Sequence, residues 1–254
     1  MRKIELGSHK LEIYDSIDEL PIRRFHRFNK MMLVDSGVGG TLADADAHLE
    51  RIKAFIRIKK NDEALKEVDN LRTNLYLIIN SISPKNLAFA SLIKTLDGEP
   101  CEDLSDAGLQ GIVDKLGDVK VSELSDEFSS VKKKIESDLL QYFPQMFDDS
   151  SQKEYYDLLR RRTLAVIDSI VEGKANGSEV DKITTELLVY SKPNLFSGAE
   201  SAEVQFDRQF DKMCHIISYY LNVSPKDYTV TEYYSAFDYI KEIIKAKKAS
   251  MKIK

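Results

Sequence analysis

Cationic and aromatic side chains alternate in one stretch of this chain, which is the first candidate for a functional site. The stretch reads R-R-F-H-R-F-N-K, and its cations are Arg23, Arg24, Arg27 and Lys30. Such interleaving is typical of nucleic-acid binders, in which cations attract phosphates and exposed rings stack on bases. Pro21 suits the first turn of a helix, and at the helical period the apolar residues fall opposite the cations. Because the rings then turn inward, we expect this cationic face to bind an acidic protein surface or a neighbouring subunit, with non-specific contact to the DNA backbone as the alternative.

A second candidate for chemistry is Asp35, which follows an apolar run and precedes Ser36 and Gly37. This triplet is typical of aspartic proteases, whose chemistry needs two carboxylates that share a proton on facing loops of a β-rich fold. The flanking sequence has the period of a helix and offers few strands. We therefore expect a helix C-terminus followed by a glycine loop, and proteolysis at Asp35 is the remote alternative.

Two further patterns point to ligands, but both are incomplete. The glycine loop 37–40 before Thr41 resembles a phosphate-binding loop, yet no lysine precedes Thr41 and no clear strand leads in. His48 and Asp44 are four residues apart on a predicted helix, but a structural zinc needs four ligands and the four histidines are scattered. We therefore expect His48 to lie at the surface, and we expect no metal, no cofactor and no catalytic residue.

Composition indicates a soluble protein with substantial cores. The chain has 254 residues, of which 43% are hydrophobic and 31% charged, and its net charge is -5. No apolar run approaches the ~20 residues of a membrane span, so we expect no membrane partner. The chain starts with an alternating pattern rather than an apolar leader. We therefore expect two reduced thiols in a cytoplasmic setting, with Cys214 as a small buried thiol.

The N-terminal half predicts a β-hairpin followed by helices. Residues 3–6 and 11–14 alternate around a Gly-Ser pair, and this hairpin must pack on helices or join a neighbouring chain's sheet, because a lone hairpin is marginal in water. We expect it to make contacts between chains rather than only within one, since an exposed hairpin edge invites strand addition. We expect helices that begin at Pro21, at Thr41 and at residue 61 or 62, and a fourth helix over 83–96. We expect Gly98 to end this fourth helix and residues 97–106 to form an acidic linker. The stripes expected to be buried in the second and third helices include Ala45, Leu49, Ile52, Ile56, Leu65, Val68 and Leu75.

The C-terminal half predicts helices alone. Apolar residues recur at spacings of three and four over 124–142, and a capping box at Thr229 and Glu232 opens the last helix. Between them we expect a helix that ends at Gly173 and a turn at Asn176. The predicted fold is mainly α, a multi-helix bundle with a short N-terminal β-hairpin. The expected domains are 1–117, with the hairpin, and 118–254.

The N-terminal part, roughly residues 4–96, resembles proteins from the structural gene blocks of tailed bacteriophages, in particular crAss-like phages of gut Bacteroidetes. The resemblance is carried by the hairpin, by residues 13–30, which read I-Y-D-S-I-D-E-L-P-I-R-R-F-H-R-F-N-K, and by the V-D-S-G-V-G-G loop. Among such proteins, an acidic and mostly helical chain of this length is most similar to a neck adaptor. Neck adaptors are helical subunits that form a ring under the portal, extend the DNA channel and join the tail.

This resemblance implies a structural role without catalytic residues or cofactors. The implied assembly is a homo-oligomeric ring, twelvefold as phage portals usually are, in contact with the portal and other neck or tail proteins. The implied location is the neck and tail region of the virion, after assembly in the host cytoplasm. Arg23, Arg24, Arg27 and Lys30 would then meet an acidic surface, with 97–106 of the adjacent copy as a candidate. The alternatives within the same gene block are an internal virion cargo protein and a tail-assembly chaperone.

Overall fold

The structure is a computed structural model that describes residues 1–144, 150–172, 177–190 and 193–251. The described residues form ten α-helices and one small antiparallel sheet, and 70% of the structure is helical. The helices are α1 (Ile22–Gly37), α2 (Leu42–Arg57), α3 (Asn61–Ile79), α4 (Pro84–Leu92), α5 (Asp106–Lys115), α6 (Val121–Tyr142), α7 (Ser150–Glu172), α8 (Gly177–Tyr190), α9 (Ala202–Leu221) and α10 (Val230–Met251). The strands are β1 (Arg2–Leu6), β2 (His9–Ile13), β3 (Ile93–Leu96) and β4 (Glu99–Pro100). The predicted fold class, mainly α with an N-terminal hairpin, is confirmed.

The predicted hairpin is part of a larger sheet within the same chain. The strand order is β1-β2-β3-β4, and Ile93 of β3 pairs with Ile13 of β2. The prediction of a helix through Leu96 is therefore wrong, since α4 ends at Leu92. Asp97 and Gly98 both have positive φ, 54° and 88°, as a tight two-residue hairpin turn requires. Asp97 and Gly98 therefore form the hairpin turn between β3 and β4 and do not end a helix.

The chain divides into two compact units, each assembled from separate segments. The first contains Met1–Ser36, Ser81–Pro144 and Glu203–Lys254, and the second contains Gly37–Asn80 and Gln145–Ala202. The division predicted at residue 117 differs from this one, because α5 and α6, on either side of that boundary, both belong to the first unit. The predicted helix end at Gly173 and the turn at Asn176 lie outside the described residues.

The first unit has an aromatic core to which α1 contributes two rings. Phe28 lies 6.2 Å from Phe128 of α6, and Phe25 lies 6.4 Å from Tyr234 of α10, in both cases between ring centroids. The predicted stripe of α6 is confirmed at Phe128, Val131, Ile135 and Leu139, which are buried, but not at Tyr142, which is exposed. The capping box of α10 is also confirmed: the Thr229 amide donates to Glu232, and the Glu232 amide donates to the Thr229 hydroxyl.

The second unit contains an antiparallel helix pair, α2 and α3, whose predicted stripes are mostly wrong. Its buried residues are Ala45, His48 and Phe55 in α2 and Ala64, Glu67, Asn70 and Asn74 in α3. Of the residues expected inside, Ala45 is buried and Ile52 is half-buried, whereas five are exposed: Leu49, Ile56, Leu65, Val68 and Leu75. The predicted helices are confirmed, but polar side chains of α2 and α3 occupy the face that turns inward.

Candidate interaction surface

Helix α1 is held in the first unit by its own first turn and by the segment before α10. The Ile22 amide donates to the Tyr228 carbonyl at 2.8 Å, and the Phe25 amide donates to the Pro21 carbonyl at 3.0 Å. Proline in front of the first helical residue has no amide hydrogen that the helix would leave unpaired. The four predicted cations therefore occupy defined positions around one anchored helix.

Arg24 does not lie on an exposed cationic face. The residue is buried, and its guanidinium donates to the carbonyls of Ser91 and Ile93, at 3.1 and 2.9 Å, and to the carbonyl of Cys101. Burial lowers the pKa of this guanidinium from its ordinary value. Arg24 therefore ties α1 to the end of α4 and to β3, because a planar five-donor group can satisfy several carbonyls at once.

Arg27 and Lys30 are largely covered, and acidic residues of the same unit neutralise them. Arg27 pairs with Asp106 at the start of α5, while Lys30 lies 2.6 Å from Asp207 and 3.8 Å from Glu203, both in α9. Each cationic side chain is only 14% exposed. Asp106 belongs to segment 97–106, which we expected to meet the cations of an adjacent copy. The contact between Arg27 and Asp106 forms within one chain.

Arg23 is the most exposed of the four cations. Its side chain is 61% exposed and lies 3.3 Å from Asp227, which is itself 66% exposed. An ion pair between exposed groups contributes only about 0–1 kcal/mol, so a partner could displace Asp227 at small cost. Of the predicted interface residues, Arg23 alone combines a full charge with wide access to solvent.

No role was predicted for His26, which lies between two aromatic rings of α9. Its ring stacks on Phe206 at 4.7 Å and on Phe210 at 4.1 Å, between centroids. Its Nε2 lies 2.8 Å from Asp207 Oδ1. Burial lowers the pKa of His26 despite this carboxylate, and the sandwich joins α1 to α9. The spacing of the two phenylalanines, one turn apart in α9, was the available signal.

Asp35 lies in the last turn of α1, which continues through Gly37. Aspartic proteolysis needs its carboxylates on facing loops, so the position of Asp35 on a helix gives that alternative no support. The glycine loop that follows caps α2: the amides of Gly40 and Thr41 both donate to Asp44, at 3.1 and 2.9 Å. These amides are therefore engaged by a carboxylate of the chain itself.

The expectation that His48 lies at the surface is wrong, because it is 1% exposed and belongs to a buried polar cluster. Its Nδ1 lies 2.6 Å from Glu67 Oε2, and its Nε2 lies 3.0 Å from the Val38 carbonyl. Arg51 Nε lies 3.0 Å from the other oxygen of Glu67. The buried carboxylate thus has cationic and hydrogen-bonding partners on both sides, as burial of a charge requires.

Two asparagines extend the cluster and hold two loops against α3. Asn70 donates to the Asn194 carbonyl at 2.8 Å and accepts from the Phe196 amide at 3.1 Å. Asn74 donates to the Val38 carbonyl at 3.0 Å. These hydrogen bonds offset part of the cost of turning polar residues of α3 inward, although the buried Asn74 side-chain oxygen has no partner among the described residues.

Because α2 and α3 turn polar residues inward, many of their apolar residues lie on the outward face. Half of the large apolar side chains that are exposed among the described residues belong to these two helices. We call this set the apolar hairpin surface, and its members are Leu42, Leu49, Ile56, Leu65, Val68, Leu75, Tyr76 and Ile79. Large contiguous apolar patches mark sites of association, so the apolar hairpin surface is a candidate for contact with another protein.

The remaining groups offer little chemistry. Among the described residues, no group of three or more His, Cys, Asp or Glu side chains could hold a metal ion. No helix in the described ranges is both long and apolar enough to cross a membrane. Cys101 and Cys214 are not joined in a disulfide, and Cys214 is buried as predicted. Burial raises the pKa of both thiols, which disfavours the reactive thiolate.

No protein family, curated protein or solved structure matched this chain.

Proposed function

We propose that this chain is a structural ring subunit of a phage neck, an adaptor or connector that joins the portal to the tail and extends the DNA channel. The starting point is the resemblance of residues 13–30, with the flanking hairpin and glycine loop, to proteins of phage structural gene blocks. The structural observation that carries the proposal is the apolar hairpin surface. An exposed apolar surface of this kind marks a site where a protein neighbour can bind.

The described contacts favour an architectural role over a chemical one. The acidic and cationic groups around α1 pair with each other, as Arg27 does with Asp106 and Lys30 with Asp207. The buried histidine His48 is likewise engaged with Glu67. Polar groups used in this way build a defined shape, which is what a ring subunit contributes to a channel. Arg23 supports a smaller part of the proposal, as the cation most available to an acidic surface on the portal or to DNA phosphates.

The decisive measurement is quantitative mass spectrometry of purified particles of the phage that encodes this chain. We expect the protein in the particle at the same copy number as the portal, because a connector repeats the symmetry of the ring below it. Loss of the protein should give filled heads without attached tails.

The two alternatives give different results in the same measurement. A tail-assembly chaperone would be absent from purified particles but required for tails to form. An internal cargo protein would be present in a copy number unrelated to that of the portal and would be released with the DNA. Either result would overturn the connector role.

A further inference from the structure

We propose that two copies of this chain pair through the open edge of β1, so that the sheets of the two copies join into one continuous antiparallel sheet. The open edge is the row of backbone amides and carbonyls of Lys3 and Glu5, which points away from β2. This inference goes beyond the neck role and does not depend on it. It is argued from the backbone hydrogen bonds, the charges and the apolar residue of β1.

The two edges of the sheet differ in their capacity to accept another strand. At one edge, β4 has only two residues, and one of them is Pro100, which has no amide hydrogen to donate. At the other edge, β1 has five residues without a proline and is paired only with β2 in the sheet order. A short edge strand with a proline resists strand addition, whereas a longer unpaired edge invites it. The sheet can therefore be extended at β1.

The hydrogen bonds of β2 show which of its residues face each neighbouring strand. The Lys10 carbonyl accepts from the Asp97 amide at 2.8 Å, and the Tyr14 amide donates to the Leu92 carbonyl at 2.9 Å. Both partners lie at the ends of β3, so the even-numbered residues of β2 direct their backbone groups towards β3. Because the direction of these groups alternates along a strand, the odd-numbered residues of β2 direct theirs towards β1.

The same alternation identifies the open edge of β1. Ile4 lies opposite Leu11, an odd-numbered residue of β2, so the backbone groups of Ile4 are directed to β2. Lys3 and Glu5, on either side of Ile4, therefore direct their amides and carbonyls to the open side. In an antiparallel pair of two β1 strands, these are the residues that exchange hydrogen bonds between copies.

The charges of the open edge select one register for a second copy. When a two-fold axis passes between the two Ile4 residues, Lys3 of each copy lies opposite Glu5 of the other. A shift by two residues would place Lys3 opposite Lys3, or Glu5 opposite Glu5, and like charges directly opposite are destabilising. The proposed register continues the pattern within the chain, where Lys3 lies 3.0 Å from Glu12 and Glu5 lies opposite Lys10. The Lys3 side chain is 84% exposed and so remains accessible to a second copy.

The other face of β1 is also self-complementary in this register. Leu6 and Leu11 are buried on that face, while Ile4 is only half-buried. In the pairing, the two Ile4 residues lie directly opposite each other as a non-hydrogen-bonded pair, whose Cα atoms are about 4.5 Å apart. Each Ile4 then covers apolar surface of the other. A strand that matches opposite charges on one face and an apolar residue on the other is supplied by β1 itself, which favours a second copy over an unrelated partner.

The contact is isologous, because both copies use the same strand, and it therefore closes with two copies. A ring whose copies all point the same way along its axis contains no two-fold axis of this kind. The dimer would thus belong to the free chain before assembly, when it covers an edge that is otherwise open to strand addition.

The first test changes the charges of the edge and uses the full chain in analytical ultracentrifugation. We expect a reversible monomer–dimer equilibrium with a Kd of about 1–100 μM, since the contact is small. Lys3→Glu makes the edge wholly acidic and Glu5→Lys makes it wholly basic, so each variant alone should self-associate at least about 10-fold more weakly. Circular dichroism and urea unfolding of dilute protein, in which the monomer dominates, check that each variant is folded.

An equimolar mixture of these two variants is the matched control. Every charge pair between copies is then opposite in sign, so the mixture should form a heterodimer with about the affinity of the natural chain. A mixture that associates no better than the separate variants would contradict the pairing of Lys3 with Glu5.

The second test reads the register by disulfide cross-linking in a Cys101→Ser background. Ile4→Cys should give a covalent dimer on mild oxidation, because Cα atoms about 4.5 Å apart are within disulfide range. Lys3→Cys and Glu5→Cys are the controls: neither should cross-link to itself, whereas a mixture of the two should cross-link. Efficient self-linking of Lys3→Cys or of Glu5→Cys would show a register shifted by two residues and overturn the proposed one.

The outcomes separate this inference from the neck role. A natural chain that stays monomeric up to about 1 mM overturns the pairing, as does a dimer that both charge variants leave unchanged, while the copy number in particles still decides the neck role. Amides of Lys3 and Glu5 that become protected from hydrogen exchange only with a different virion protein would assign the edge to that protein and overturn the pairing. A dimer confirmed by cross-linking, in a protein absent from particles, supports the pairing and removes the neck role.

Discussion

Arg23 and Arg24 are adjacent in sequence and have opposite roles. Arg23 is exposed beside Asp227, whereas Arg24 is buried and donates to backbone carbonyls. A helix turns about 100° per residue, so neighbours in sequence face different environments. Removing the Arg24 side chain would leave the carbonyls of Ser91 and Ile93 buried without a donor, which costs about 1–3 kcal/mol for each unsatisfied group.

We therefore predict that Arg24→Leu lowers the free energy of unfolding by about 3 kcal/mol. Arg23→Leu is the matched control and should change it by less than about 1 kcal/mol, since only an exposed ion pair is lost. Urea denaturation followed by circular dichroism measures both. Equal effects of the two substitutions would contradict the buried role of Arg24.

His9 follows the turn between β1 and β2 and contacts aspartates in two other turns of the first unit. Its protonation should therefore change the free energy of unfolding. Its Nδ1 lies 2.7 Å from Asp97 and its Nε2 lies 3.1 Å from Asp118. The hydrogen bond to Asp97, with a further contribution from Asp118, raises the pKa of His9 above its ordinary value. A raised folded-state pKa means that the stabilising contribution is complete below about pH 6.5 and is lost as the pH rises through the folded-state pKa.

We accordingly predict that the natural chain loses more stability than His9→Gln between about pH 5.5 and about pH 8. Unfolding in urea at the two pH values measures this difference. In a nuclear magnetic resonance titration the His9 ring should have its midpoint above about 6.5. A midpoint at or below that value would show that the two carboxylates do not hold the proton.

At the scale of elements, α2 and α3 show how hydrogen bonding can reverse the usual orientation of an amphipathic helix. The inward face carries His48, Glu67, Asn70 and Asn74, each with partners in the second unit. The outward face carries the apolar hairpin surface. A helix pair of this type is stable in water only to the extent that its polar interior is fully paired, and it gains further when another protein covers its exterior.

Helix α5 offers a comparison of two glycines in one element. An added Cβ at Gly111 would meet nothing within 4 Å, whereas at Gly108 it would lie 2.6 Å from the Asp103 carbonyl oxygen. We predict that Gly111→Ala raises the free energy of unfolding by about 0.5–1 kcal/mol, because alanine loses less conformational entropy in a helix. Gly108→Ala should lower it, because the backbone must shift. Thermal and urea unfolding of the two variants measure the opposite signs, and a shared sign would contradict the described packing at Asp103.

At the scale of the whole molecule, the N-terminal hairpin is a structural part of the first unit. Leu11 and Ile13 are buried and β2 pairs with β3, a strand that lies about 80 residues further along the chain. The hairpin thus connects distant parts of the sequence instead of extending freely towards a neighbour. The hairpin packs within its own chain through β2, while β1 is an edge strand of the sheet, so the expected contact of the hairpin with another chain stays a prediction.

We predict that deletion of residues 1–14 abolishes the cooperative unfolding of the first unit. The deletion exposes the edge of β3 and removes buried leucine and isoleucine side chains, each worth about 2–5 kcal/mol when lost from a core, against a typical total of about 5–15 kcal/mol. The full chain with Lys3→Ala and Glu5→Ala, two exposed positions of β1, is the control and should unfold as the natural chain does. A soluble truncated protein with an unchanged unfolding transition would contradict this prediction.

Features that depend on neighbours a few residues away could be predicted from the amino-acid sequence alone. The helix that follows Pro21, the capping box of α10 and the stripe of α6 are local patterns, and the structure confirms the first two and most of the third. Taken together, such local patterns predict a mainly helical fold. The resemblance that suggests a phage neck is also a property of the sequence, and it remains a proposal.

Tertiary structure decided which face of each helix turns inward and which cations stay free. Arg24 is buried because carbonyls about 70 residues away accept its hydrogen bonds, and residues 93–96 form a strand because β2 presents an unpaired edge. The polar face of α3 is inside because loops at Val38 and Asn194 complete its hydrogen bonds. Periodicity defines a helix's two faces, but the free energy of burying either face depends on partners that only the folded chain brings together.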